Sequence, residues 1–269
     1  MTVNMLIAGL IGQILAFLLS IIYIKINKLL IARVAKSILV LSWLIITAII
    51  VINWINEGRP PFKTLFESLI LLAWCINLTG IFSYFDNKYP LLWLLVSLSA
   101  SFTILYALTK PDIEKVLLPP ALQSVWFIPH VVVYFVGYSA LMIGSIGLLG
   151  GTKLNTWIAK KIKSEVLKQS ETIALNLKIV RIGYLFLTIG LILGAVWADQ
   201  AWGTYWGWDP KESWALITFF IYGAFMHFTQ KDQYDKWGKL LLIIGVASIL
   251  FTYLGMHLLP TADTSMHVY

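Results

Sequence analysis

The residues best equipped for chemistry lie between Trp197 and Trp214, a stretch that reads Trp-Ala-Asp-Gln-Ala-Trp-Gly-Thr-Tyr-Trp-Gly-Trp-Asp-Pro-Lys-Glu-Ser-Trp. Five tryptophans (Trp197, Trp202, Trp206, Trp208, Trp214) and Tyr205 share it with Gly203, Gly207 and Pro210, and long apolar runs flank it on both sides. Two readings are open. Amphipathic rings gather at bilayer interfaces, so one reading is an aromatic belt. A belt needs only a ring or two per helix end, and glycines let a backbone come close to a partner, so the other reading is a platform that stacks against a large flat ligand. The acids at the end of the stretch have a structural explanation. Asp209-Pro210-Lys211-Glu212 puts an acid at an N-cap, proline at the first helical position and glutamate three residues after the cap, which starts a helix.

Histidines are the second set of reactive groups. The chain has four: His130, His227, His257 and His267. By the span pattern given below, His130, His257 and His267 fall at or beyond the same membrane edge as the tryptophans. His227 lies 17 residues further along the span that begins at Pro210, roughly 25 Å away at 1.5 Å per residue, near the opposite interface. A single interfacial histidine is ordinarily a polar tip in the headgroup region. Several of them level with a flat aromatic surface suit a haem, whose porphyrin wants an apolar plane and whose iron wants axial imidazoles. No HExxH or cysteine–histidine cluster suggests zinc. No pair of histidines about thirteen residues apart on one span suggests two stacked haems of the electron-transferring kind. Cys75, the only cysteine, sits in an apolar run and has no partner for a disulfide or a CxxC relay. Any thiol chemistry must use thiols on another molecule.

These groups have to be positioned by membrane-spanning helices. Of the 269 residues, 59% are hydrophobic and only 12% charged, and the mean hydropathy is +0.82. About a quarter of residues are charged in a soluble domain of ordinary composition, so the chain is an all-α polytopic membrane bundle, expected as one transmembrane domain over residues 1–269. Apolar runs predict about eight spans, near residues 5–24, 37–55, 65–85, 91–108, 128–149, 182–196, 210–228 and 240–259. The first lacks a basic leader and a small-residue cleavage site, so it reads as a retained helix. Thr64 and Glu67 form a second capping box at the start of the third span. The net charge of +7 is not a nucleic-acid signal, because it is concentrated in two loops, Lys25 to Lys36 and Lys153 to Arg181. The positive-inside rule makes both cytoplasmic. Both termini and the tryptophan stretch then lie outside. A small-solute transporter would bury charges or break helices near the midplane, and the span centres hold almost none.

The segment from Trp202 to Trp214 resembles the tryptophan-rich "WWD" signature of the CcsA/ResC family of cytochrome c biogenesis, in the form WGxxWxWDPKExW. The likeness extends to Pro61-Phe62-Lys63-Thr64-Leu65-Phe66-Glu67-Ser68, to the helix from His130 to Gly137 and to the closing Met266-His267-Val268-Tyr269. It covers most of the chain from the second span onward. The resemblance implies a haem-handling subunit of a cytochrome c synthase that carries haem b across the membrane. It would present the haem at an external site for thioether ligation to the CxxCH thiols of apocytochrome c. Carried over by motif, His130 and His267 become the axial ligands of the iron. Trp202, Tyr205, Trp206, Trp208, Asp209 and Trp214 become the haem-binding stretch, 197–214. His227 matches an intramembrane histidine associated with haem arriving from the cytoplasm. His257 stands where the family more often has asparagine, and it joins the haem-binding set. Implied partners are a CcsB/ResB-like membrane protein, the apocytochrome and thiol-reducing proteins; nucleic acid is not among them. The implied location is a bacterial plasma membrane or a plastid thylakoid membrane. Lys211, Arg59 and Lys63 are the candidate cations for the haem propionates. A haem exporter that presents its cargo while a partner performs the ligation is the alternative within the resemblance.

Overall fold

The computed structural model describes residues 2–83, 90–110, 118–162, 169–229 and 236–255. Among them are eight α-helices and no strand: α1 (Thr2–Ile26), α2 (Leu29–Glu57), α3 (Leu65–Ser83), α4 (Pro90–Leu108), α5 (Phe127–Ile162), α6 (Gln169–Trp202), α7 (Pro210–Phe228) and α8 (Lys236–Leu250). A short 3-10 turn, Pro120–Gln123, precedes α5, and a π-turn, Phe251–Gly255, follows α8. The all-helical membrane architecture is the one the apolar runs predict. In lipid the backbone has no water to bond, so each crossing segment must satisfy its amides internally.

Seven of the helices are long and apolar enough to cross a membrane; α7 falls short by composition. It has 19 residues and opens with Lys211 and Glu212, which occupy length that would otherwise be hydrocarbon. The expected boundaries also shift. The basic stretch Lys25 to Lys36 reads as a loop in sequence, yet α1 runs to Ile26 and α2 begins at Leu29. Within the stretch 153–181, α5 runs to Ile162 and α6 starts at Gln169. Lysine and arginine are good helix formers, so a helix continues where the apolar run stops. The hydropathy therefore ends before the helix does.

The fold comprises two compact units: Met1–Val116 with Ile146–Asn176, and Leu117–Ser145 with Leu177–Tyr269. In the first, α1 packs along α2 and α4, and α3 packs on α4 and α2. Its interior includes polar contacts as well as close packing. The Gln13 side-chain amide donates to Asn77 Oδ1 at 2.8 Å between α1 and α3. Trp43 stacks on Trp74, whose indole N–H donates to Thr47 Oγ1. Most of the other buried hydroxyls return to a carbonyl one turn back on their own helix, as with Ser20, Thr79 and Ser97. In the second unit α5 and α6 come close at Gly137, where an added Cβ would meet the Leu187 backbone nitrogen at 2.8 Å. Tyr222 on α7 is fully buried, bonded to Ser145 of α5 and lying under Gly245 of α8. Thr218 and Ser248 tie α7 to α8. Leu30, Ile55, Phe102 and Phe220 are exposed on their helices, as side chains facing acyl chains must be.

Candidate functional site

The site is built at one end of the second unit, from the start of α5 and the run between α6 and α7. His130 enters α5 in its first turn, with its backbone N–H bonded to the Trp126 carbonyl. Its half-buried ring is held by α6. Nδ1 lies 2.8 Å from the Gly190 carbonyl oxygen. A carbonyl can only accept, so Nδ1 carries the proton and the lone pair resides on Nε2. One turn further along α6, Gly194 makes room for the ring: a Cβ there would sit 2.6 Å from His130 Cε1. One more turn on, the Trp197 ring stacks on the imidazole at 5.7 Å with an interplanar angle of 12°.

Trp197 has two further tasks. It is only 2% exposed, and its indole N–H donates to the Ala121 carbonyl at 2.8 Å. It also touches Phe127 and meets Trp202 edge to face. The segment 118–126 is thereby fastened to the end of α6, an attachment repeated by the Ser124 hydroxyl bonded to the Gln200 side chain.

The aromatic run then leaves the helix. α6 ends at Trp202, and Gly203 follows in the left-handed region (φ 75°) with its N–H bonded to the Asp199 carbonyl, a common glycine terminator. Trp208 also has a positive φ, 56°, which costs a residue with a bulky side chain about 1–2 kcal/mol. Its neighbours hold it there. Glu212 Oε2 accepts from Gly207 N at 2.9 Å and from Asp209 N at 3.2 Å, the amides on either side of residue 208. Asp209 Oδ1 accepts from Lys211 N at 2.7 Å, and the Asp209 side chain also accepts from the Glu212 backbone N–H, which closes a capping box with Pro210 at the first helical position. Asp209 and Glu212 are thus the helix caps the sequence implies, both buried.

The consequence is an exposed aromatic surface. Trp208 is 70% exposed and Tyr205 61%, and Trp206 meets Trp208 edge to face. Among the described residues, Trp206 Nε1 is buried with no hydrogen-bond partner. A buried donor without an acceptor is costly, so this indole N–H, unmatched among the described residues, fits an acceptor such as a carboxylate on a flat ligand. The residues present therefore suit a haem: an imidazole with its lone pair on Nε2, exposed rings, and an unmatched donor.

The sequence-derived residues separate into three groups. His130 and Trp202 are gathered around Trp197. Tyr205, Trp206, Trp208 and Asp209 form the loop, while Trp214 turns to Phe251 of the π-turn, 4.3 Å away. His227 is exposed at the far end of α7, beside Phe228, about 25 Å along the helix from Pro210. His257 and His267 lie outside the described residues. Among the candidate cations, Lys211 is half-buried beside Asp209, whereas Arg59 is engaged in ion pairs with Glu57 and Glu67. Sequence reading missed Trp197 as the support of His130, and with it Gly190 and Gly194. The spacing of Gly190, Gly194 and Trp197 on one helical face was the available signal.

Comparison with known proteins identifies the family and the fold. The sequence profile described as "Cytochrome C assembly protein" matches residues 62–262. The cytochrome c biogenesis protein CcsA of Atropa belladonna is 34% identical over 256 residues, covering 82% of this chain and 81% of the relative. CcsA of Nicotiana tomentosiformis is 34% identical over 257 residues, with the same coverage. Among solved structures, the cytochrome c heme lyase CcmF shares the fold with a TM-score of 0.71 at 16% identity; 94% of this chain is covered, and it spans 46% of the length of CcmF.

Proposed function

This chain belongs to the cytochrome c assembly protein family, and from that premise we propose that it is the haem-handling subunit of a cytochrome c synthase. It is an integral membrane protein with a role in cytochrome c maturation. In our reading it takes up haem b at the His227 end of α7 and presents it, on the non-cytoplasmic face, at the loop that carries Tyr205, Trp206 and Trp208. The observation that carries the reading is His130, held by Gly190 and Trp197 at the α5–α6 end beside that loop, with Nδ1 engaged so that the lone pair resides on Nε2.

Haem, as the substrate, supplies two vinyl groups. Each cysteine thiol of an apocytochrome CxxCH motif adds across one of them, forming a C–S bond and leaving the thiol hydrogen on the adjacent carbon, with no net oxidation. Such an addition needs fixed orientation and reduced thiols more than a strong acid or base, and positioning alone supplies several kcal/mol of a barrier of this kind. The residues match that demand. His130 serves as one axial ligand and His267 as the other, with His257 in reserve. Trp202, Tyr205 and Trp208 offer apolar rings, Trp206 N–H donates to a propionate, and Lys211 neutralises it. Glu212 and Asp209 keep the loop in shape, and Trp214 anchors the start of α7. A CcsB/ResB-like protein and thiol-reducing proteins complete the system, in a bacterial plasma membrane or a thylakoid.

The test is the absorption spectrum of the detergent-purified protein, reduced and oxidised, with and without His130→Ala. We expect a low-spin haem spectrum that the substitution strongly weakens; undiminished haem in the variant would overturn the ligand assignment. Assaying thioether formation by this chain with its partner alone distinguishes synthase from exporter.

A further inference from the structure

The structure assigns Trp197 and Gly194 to a role distinct from the haem platform: they are positioning residues that fix the depth and the plane of the ring that His130 offers to the iron. The inference rests on the proposed reading of His130 as an axial ligand. It arises from three contacts on successive turns of α6, all directed at one imidazole. The Gly190 carbonyl accepts from Nδ1 at 2.8 Å, Gly194 presents bare backbone where a Cβ would lie 2.6 Å from Cε1, and Trp197 covers a ring face at 12°. Each constrains a different freedom. The carbonyl selects the tautomer, the glycine sets how deep the ring sits, and the indole sets its tilt.

Trp197 is itself fixed, which is what makes it a reference surface. It is 2% exposed, and its N–H is bonded to Ala121 in the segment before α5. The segment 118–126 and α6 therefore both set the imidazole plane. The tryptophan that opens the aromatic stretch in sequence faces inward, toward the ligand's support, while Tyr205 and Trp208 face out. Metal-bound histidines almost always donate their second N–H to a carbonyl or carboxylate, and loss of such a partner typically costs about 10- to 100-fold in metal affinity.

The experiment compares haem content and the low-spin electron paramagnetic resonance signal of the full-length protein purified with its membrane partner. The variants are His130→Gly, Gly194→Ala, Trp197→Phe, Trp197→Leu and the double variant His130→Gly/Gly194→Ala. The g values of a low-spin haem report the relative planes of its axial ligands, a signature that a merely stabilising role would not move. We expect His130→Gly to lose haem and to regain it with added imidazole. Gly194→Ala and Trp197→Leu should each lower haem affinity by roughly 10-fold or more and shift the g values, with a smaller shift for Trp197→Phe, which keeps the ring face and loses only the bond to Ala121. In the double variant the alanine should cause no loss beyond that of His130→Gly, because it acts through the ring.

Unshifted g values and wild-type haem content in Gly194→Ala and both Trp197 variants, alongside haem loss in His130→Gly, would overturn the positioning role and leave the ligand assignment standing. Full haem retention in His130→Gly would instead overturn the reading on which it rests. If Gly194→Ala does not accumulate, the double variant decides: recovery of folded protein once the ring is removed supports the contact, and continued failure overturns it.

Discussion

Two loops of this protein are built on the same plan and finished differently. The loop between α2 and α3 leaves its helix through Gly58 at φ 64°, and the loop between α6 and α7 leaves through Gly203 at φ 75°. Each enters the next helix through a capping box whose glutamate gathers loop amides. Glu67 Oε2 accepts from Lys63 N and Thr64 N, and Glu212 Oε2 accepts from Gly207 N and Asp209 N. There the likeness ends. Glu67 also binds the Arg59 guanidinium at 2.8 Å, and Phe62 is buried with its ring against Trp54. The second loop holds a tryptophan in a strained conformation, exposes two large rings and, among the described residues, leaves an indole donor unmatched. One loop is saturated by its own residues; the other is held open by comparable chemistry. Strain and unpaired donors persist where the surroundings over-determine them and tend to mark functional sites, so the difference supports the proposal that the second loop is the one completed by a ligand.

Glu67→Ala is the strongest test of the saturated loop. It removes the acceptor shared by Arg59, Lys63 N and Thr64 N while Glu57 still faces the guanidinium, and leaving such donors unsatisfied costs about 1–3 kcal/mol, more where the donor is charged. Thermal unfolding of the purified protein should show the loss; an unchanged transition would mean the first loop is not self-sufficient. For the open loop, Glu212→Ala frees two backbone donors at a cost of about 1–3 kcal/mol. Haem retention should fall with it, whereas Glu212→Gln keeps an acceptor oxygen and should retain most of both. Equal damage by the two variants would show that charge, not hydrogen bonding, shapes the loop. The smallest effect has the opposite sign. Trp208→Gly relieves the positive φ and should stabilise the fold by about 1 kcal/mol, less the added entropy of the unfolded glycine, while lowering haem content. A variant that lost stability as well would contradict the view of residue 208 as strained for use.

Much of this was legible in the sequence, for reasons that differ by region. Long apolar runs declare spans because the bilayer leaves no other solution for the backbone. Both capping boxes were readable from Thr64 and Glu67, and from Asp209, Pro210 and Glu212, because they are local. Helix ends were not readable where α5 and α6 continue into lysine-rich sequence, since hydropathy reports lipid contact and not helicity. The site was half legible. Residue types disclosed the aromatic stretch and His130, but Trp197 reads in sequence as one more member of the stretch. Only the α5–α6 contact shows that it is still helical, buried and turned to the histidine. That depends on which faces of two helices meet, which composition does not encode.

The bond between Gln13 and Asn77 sets an order of events in the making of the protein. Its partners are 64 residues apart, and chains are synthesised from the N-terminus. α1 is therefore made before the Asn77 acceptor on α3 exists. Polar groups of this kind in transmembrane helices find partners across helix interfaces, so α1 remains a provisional insert until α3 arrives to complete it. A chain stopped short of residue 77 should be the form that membrane quality control recognises, and Gln13→Leu should release α1 from that dependence.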